Sequence, residues 1–234
     1  MRPQPIMALG TVLLMALALA IAGCGISIAT TTKENSYTIT EPVTSLKVDN
    51  PVGNTQVEGT DATTISVTEQ LSYTGSPPQT SHPITGGQLT LSYTCPSGVL
   101  DVKVCGVTYV VKVPRRIAGQ IDDAVGMVKL TGLAGRLTLS SSSGNIDATE
   151  LTSGEVTARA SAGTITLGFT APPTLVDAQA QVGSVTVRVP AGTAYSLDAG
   201  SQVGSVEVTV QRDPSSGHRI KAHSEVGSVT VNNG

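Results

Sequence analysis

The chain has no tryptophan and a single phenylalanine among 234 residues, with five tyrosines. A core built on large aromatic rings is thereby excluded. What remains suits a narrow interior of Val, Ile, Leu and Ala. Charge is equally scarce: Lys, Arg, Asp and Glu make up 13% of the residues, and the net charge is −3. So weak a field does not steer nucleic acid, and no basic patch with interleaved aromatics is present. Nucleic acid is not an expected partner. Cysteine occurs three times, with no Cys-x-x-Cys spacing and no neighbouring histidine, so no metal set is expected. A phosphate loop, a dinucleotide fingerprint, a Gly-x-Ser-x-Gly elbow and the Ca²⁺-binding Gly-Gly-x-Gly-x-Asp nonapeptide are all missing. No cofactor is expected.

Glycine is plentiful, at 25 residues, and it is regularly placed. One phrase occurs three times: Val176-Asp-Ala-Gln-Ala-Gln-Val-Gly183-Ser-Val-Thr-Val187, then Leu197 to Val208 around Gly204, then Ile220 to Val231 around Gly227. These glycines are 21 and 23 residues apart. Upstream, Gly126, Gly135, Gly144, Gly154 and Gly163 are spaced by 9, 9, 10 and 9 residues, and Gly53 has the same surroundings. Each is followed by alternating apolar and polar residues, as in Met127-Val128-Lys129-Leu130. Residues two apart share one side of a strand, so Val128 and Leu130 face inward and Lys129 outward. A repeat this short buries its apolar face only by stacking on its neighbours. The pattern predicts an all-β, parallel β-helix-like solenoid, with coils of about 20 residues, two main strands per coil and glycine at the corners. An antiparallel sandwich also has short alternating strands, but it seldom needs one residue at the same corner three times running.

The run Tyr109-Val-Val-Lys-Val-Pro114, then Val125-Gly126-Met-Val-Lys-Leu-Thr-Gly132-Leu-Ala-Gly135-Arg-Leu-Thr-Leu, then Ser143-Gly144-Asn-Ile-Asp, resembles the bacterial putative-adhesin family of β-strand-repeat proteins. The resemblance spans about residues 43–231. It implies a β-solenoid on an exported, envelope-attached protein. It carries over no catalytic residue, because its motifs are structural glycines and valines, and a fold does not imply a function.

The one long apolar run, Ile6 to Ala22, follows Arg2 and precedes Gly23-Cys24. This is the layout of a secretory signal. Leu19-Ala-Ile-Ala-Gly-Cys24 resembles the lipobox of bacterial lipoproteins, although Ile21 stands where Leu is commoner. The expectation is a signal peptide over 1–23, acylation at Cys24, attachment of the exported protein to the cell membrane, and a polar tether over 24–37. Two acyl chains would anchor such a protein stably. Outside the cytoplasm, Cys95 and Cys105 are expected to form a disulfide that staples the loop 95–105. The solenoid is expected over 38–234, irregular in 38–117 and regular in 118–234.

Candidate chemistry is thin. His218 and His223 read as surface decoration and His82 as a solvated loop residue. Asp122 and Asp123 are adjacent on a strand and point apart. Asp147, Glu150 and Glu155 could share an edge across coils, as a glycosidase pair would require. The serines 140–143 read as a polar strand end. The expected function is that of a non-catalytic, lipid-anchored surface platform for a cell-wall polymer, a glycan or a surface protein. The alternatives are a carbohydrate-active β-helix enzyme and a self-assembling envelope scaffold or stress-response component, the last suggested by the uncapped end at Val231-Asn-Asn-Gly234.

Overall fold

The computed structural model describes residues 30–96 and 104–234. The expected signal and Cys24 lie outside the described residues. Alternation of apolar and polar side chains gives strands throughout. The chain begins with β1 (Thr31–Ile39), β2 (Ser45–Val52), β3 (Thr55–Thr60) and β4 (Ile65–Tyr73). Short strands β5 (Gln79–Ser81) and β6 (Ile84–Thr85) lead to β7 (Gln88–Thr94) and β8 (Cys105–Pro114). Regular pairs follow: β9 (Ala118–Val125) and β10 (Val128–Thr131), β11 (Leu137–Ser143) and β12 (Ile146–Leu151), β13 (Glu155–Ala162) and β14 (Ile165–Phe169). The last are β15 (Leu175–Val182) and β16 (Val185–Val189), β17 (Ser196–Val203) and β18 (Val206–Val208), β19 (Arg219–Val226) and β20 (Val229–Asn233).

Each pair is one coil of a β-solenoid. The first strand of a pair lies in one sheet, here the front sheet, and the second lies in the back sheet. Both pair in parallel with the matching strands of the adjacent coils. The interior is a set of columns. One runs Val128, Ile146, Ile165, Val185, Val229 in register on the back sheet. All five are fully buried. Lys129, Asp147, Thr166 and Thr186 alternate outward between the columns, as the period of two requires.

The order of coils in space departs from the order in the chain at both ends. The stack runs β7/β8, β2/β3, β9/β10, β11/β12, β13/β14, β15/β16, β19/β20, β17/β18. The C-terminal coil is therefore interior, between β15/β16 and β17/β18. The expectation of an open end at Val231–Gly234 is corrected accordingly: the open end is β17/β18. A near-identical phrase cannot reveal the swap, because all three copies carry the same inward Val and Ala positions.

Gly53, Gly126, Gly144, Gly163, Gly183, Gly227 and Gly204 stack at one corner in that order, all with φ between +134° and +155°. A Cβ at Gly144 would overlap the carbonyl oxygen of Gly126 below it, so this corner admits only glycine. Gly135 and Gly154 belong to the opposite corner and lack this conformation. The nine-residue series thus merges two corners with different demands. Gly154 meets nothing closer than 3.8 Å.

The tether expected over 24–37 is corrected from Thr31 onward. Residues Thr31–Ile39 form β1, which pairs antiparallel with β4, and β4 pairs antiparallel with β8. β1 is polar because it is an edge strand with little side-chain surface turned to the core. β5 and β6 pair antiparallel with β7 on the front sheet. Antiparallel strands therefore close the β7/β8 end on both sheets. Cys95 and Cys105 are disulfide-bonded at the same end, with Cα atoms 6.1 Å apart.

Candidate functional site

The front-sheet strands share a break in their alternation. In β11, β13, β15 and β19 the last two residues are both exposed, where strict alternation would bury one of them. Pairing also skips one residue per strand: Ser142, Ser161, Gln181, Glu225 and Gln202. The break leaves a trough between two outward rows. One wall holds Ser140, Arg159, Gln179 and His223, and the other holds the skipped residues. The floor is the column Ser141, Ala160, Ala180, Ser224, Ser201, each three residues before a corner glycine. Ser141, Ala160, Ala180 and Ser224 turn their side chains inward and are buried, so the trough lies over the backbone of this column, between the two outward rows. The trough has a volume of about 840 Å³. It crosses five strands, roughly 20 Å at the usual ~4.8 Å spacing.

The trough is polar and nearly balanced in charge. Asp177 braces one wall, accepting from Gln179 Nε2 at 2.6 Å and from Arg159 Nη2 at 3.1 Å. Lys221 lies in register between Asp177 and Asp198. His223 Nε2 stands 2.9 Å from Asp198 Oδ1, off the line a ring hydrogen bond needs. Gly200 makes room for that ring: a Cβ there would come within 3.2 Å of it.

The floor column continues toward the closed end as Asp123 and Asn50, beside a smaller hollow of about 260 Å³. Asp123 is 3% exposed. Its Oδ2 accepts from Thr55 Oγ1 at 3.2 Å, and Asn50 Nδ2 donates to the same hydroxyl at 3.0 Å. Asp123 Oδ1 and Asn50 Oδ1 have no hydrogen-bond partner among the described residues. Burial disfavours the charged carboxylate and raises its pKa from 3.8 to about 6, against a smaller lowering by the Thr55 hydroxyl.

The other sequence candidates do not converge. Asp122 points outward and Asp123 inward. Asp147 and Glu150 lie on β12 in the back sheet, whereas Glu155 lies on the front sheet and is ion-paired with Arg136 at 2.6 Å. His218 is not decoration. Its Nδ1 lies 2.8 Å from the Pro173 carbonyl oxygen, and its ring meets buried Tyr195 edge-on at 6.0 Å. His82 packs on Tyr37, with ring centroids 4.4 Å apart. Among the described residues no three of His, Cys, Asp and Glu gather as a metal set would. Sequence reasoning missed the trough floor, although its signal was present: residues three before Gly144, Gly163, Gly183, Gly204 and Gly227 are all Ser or Ala. The serines 140–143, read as a strand end, supply the start of both walls and the floor.

The fold has solved counterparts. A putative cell adhesion protein from Clostridium sporogenes shares 16% identity over 87% of this chain and 100% of its own, with a TM-score of 0.51. A putative adhesin from Bacteroides fragilis shares 18% identity over 88% of this chain and 98% of its own, with a TM-score of 0.49. At such identities the likeness is one of fold. No curated protein matches the chain significantly. The sequence profile of the Toastrack domain, DUF4097, matches residues 115–232, the regular coils, and the chain belongs to that family.

Proposed function

We propose that the protein is a non-catalytic, adhesin-like platform that holds an extended polar polymer along the front-sheet trough. The observation that carries this reading is the trough itself: about 840 Å³, continuous across five strands, with a small-residue floor and hydrogen-bonding walls. Its charges offset one another, Arg159 and Lys221 against Asp198 and Glu225, which suits an uncharged or mixed-charge glycan rather than a polyanion. Carboxylates that diverge between two sheets do not favour glycan cleavage. The proposal includes residues 1–23 as a signal peptide, acylation of Cys24, and display outside the cytoplasm. Residues 25–30 would separate Cys24 from β1.

All strands of the described fold lie between Thr31 and Asn233, so soluble residues 30–234 keep the whole solenoid. That protein, applied to an array of wall and host glycans with fragment release followed in the same wells, is expected to bind saturably without releasing product. Gln179→Trp, which replaces an outward wall amide with an indole that fills the trough, is expected to abolish binding. Release of sugar fragments, or binding unaffected by Gln179→Trp, would overturn the reading. Lipidation is tested apart from ligand binding: Cys24→Ser in the full chain should move the protein from the membrane fraction to the medium.

A further inference from the structure

The β17/β18 end of the stack is an unfinished coil. β17 pairs only with β19, and β18 only with β20, so each presents a free backbone edge outward. The slice of core between them is only partly covered. Val206 is 44% exposed, while Val185 and Val229, its counterparts in the two preceding coils, are 0% exposed. Leu197, Ala199 and Val208 are only partly buried, where Val176, Ala178 and Val187 are sealed. The crossing segment covers only one corner: Tyr195 N–H donates to the Gln211 carbonyl, and Asp213 N–H to the Tyr195 carbonyl, leaving β17 beyond that point uncovered.

We infer that this end docks against the same end of a second copy, with β17 antiparallel to β17 and β18 antiparallel to β18 across a two-fold axis. The molecule's other end indicates what such a coil accepts. There β4 pairs antiparallel on β8, β5 and β6 pair antiparallel on β7, and Leu89, Leu91, Val107 and Val111 are fully buried beneath them. A single added strand covers one edge and leaves the other open. A partner that covers both edges and the core between them needs two strands at the sheet-to-sheet spacing of about 10 Å. The same end of a second copy has that spacing and the same cross-section. Reversal of the strands also brings each copy's 211–213 segment to the other's Val203 corner, where Val203 is 63% exposed. At the opposite end the core is sealed and the outermost strand of the back sheet, β1, is polar and mostly exposed, so association stops at the dimer and does not run on into a fibre.

The eight-residue edge is about 26 Å long, so the dimer buries on the order of 1,000 Å² in total, at the lower limit for a specific interface. Association is therefore reversible and weak. Charge tunes it. Glu207 on β18 stands where the inner coils carry Thr186 and Thr230, and the two-fold brings the copies' Glu207 side chains toward each other. The inference is independent of any ligand in the trough.

The test is sedimentation equilibrium of soluble residues 30–234 from roughly 1 µM to 1 mM, for wild type, Val206→Asp and Glu207→Thr. The expected result is a monomer–dimer equilibrium with no larger species. It should be lost in Val206→Asp, tightened about tenfold in Glu207→Thr, and tightened by added salt in the wild type. A monomer throughout in both wild type and Glu207→Thr would overturn the inference. So would a dimer unaffected by Val206→Asp, or open-ended polymers.

Discussion

At one end of the stack, the β7/β8 coil lies beneath antiparallel strands, and Leu91 and Val111 are sealed. At the other, the β17/β18 coil has the same inward pattern with only the segment after β18 over one corner, so Val206 meets solvent and Leu197 is only partly buried. Equivalent side chains are thus core at one end and surface at the other. Burial in a solenoid comes from the next coil and not from the coil's own sequence. In both halves the chain makes an inner coil, steps past it to the outermost one, and returns inside. Only the N-terminal half carries extra strands to finish its end. The closed end also holds the disulfide, and Asp123, the buried carboxylate of the floor column, lies on the third coil from it.

The largest expected difference between the ends is in core truncation. Leu91→Ala should cost about 3 kcal/mol in urea unfolding, as a sealed leucine does. Leu197→Ala, at the open end, should cost under about 1 kcal/mol. Equal losses would show that the two ends do not differ as described. Next is the staple. Replacing both Cys95 and Cys105 by serine is expected to cost about 2–3 kcal/mol by freeing the loop in the unfolded chain. Hydrogen exchange should rise in β7 and β8 and stay unchanged in β17 and β18. A uniform rise would mean that the disulfide supports the whole stack.

A smaller effect is expected from pH. Asp123 keeps its proton up to about pH 6 when folded, against 3.8 for the ordinary carboxyl. The folded state therefore binds the proton more tightly, so stability rises as pH falls from above 6 toward 4. It is lost as pH rises through 6, by on the order of 2 kcal/mol. Asp123→Asn should remove this slope from urea titrations at pH 4.5 and 7.5. The open end has Ser224 and Ser201 in the same column and supplies no such slope. The smallest effect is expected at Gly154. Its position is uncrowded, so Gly154→Ala should shift the unfolding midpoint little, while Gly144→Ala, in the stacked corner at φ +154°, should be severe.

Much of this architecture is legible in the sequence, because period and corner chemistry are local. Val128-Lys129-Leu130 announces its two faces, and the corner glycines announce the coil length. The order of the coils is not legible. Pairing between coils is long-range, and Ile220-Lys-Ala and Leu197-Asp-Ala offer the same inward residues to either neighbour. β1 is hidden by its polar composition, which an edge strand shares with a tether. The trough is legible only in hindsight, since it depends on the break in alternation before each corner glycine, where Ser142, Ser161, Gln181, Gln202 and Glu225 drop out of the pairing. His218 looks variable because its partners, the Pro173 carbonyl and Tyr195, lie far away in the chain.

The most direct test of the central claim is amide hydrogen exchange on dilute soluble protein, read strand by strand across the three C-terminal coils. An interior C-terminal coil predicts that amides of 219–233 are protected as strongly as those of 175–189, while 196–208 exchange fastest. Faster exchange in 219–233 than in 196–208 would mean that the coils stack in chain order, and would contradict the account of the open end.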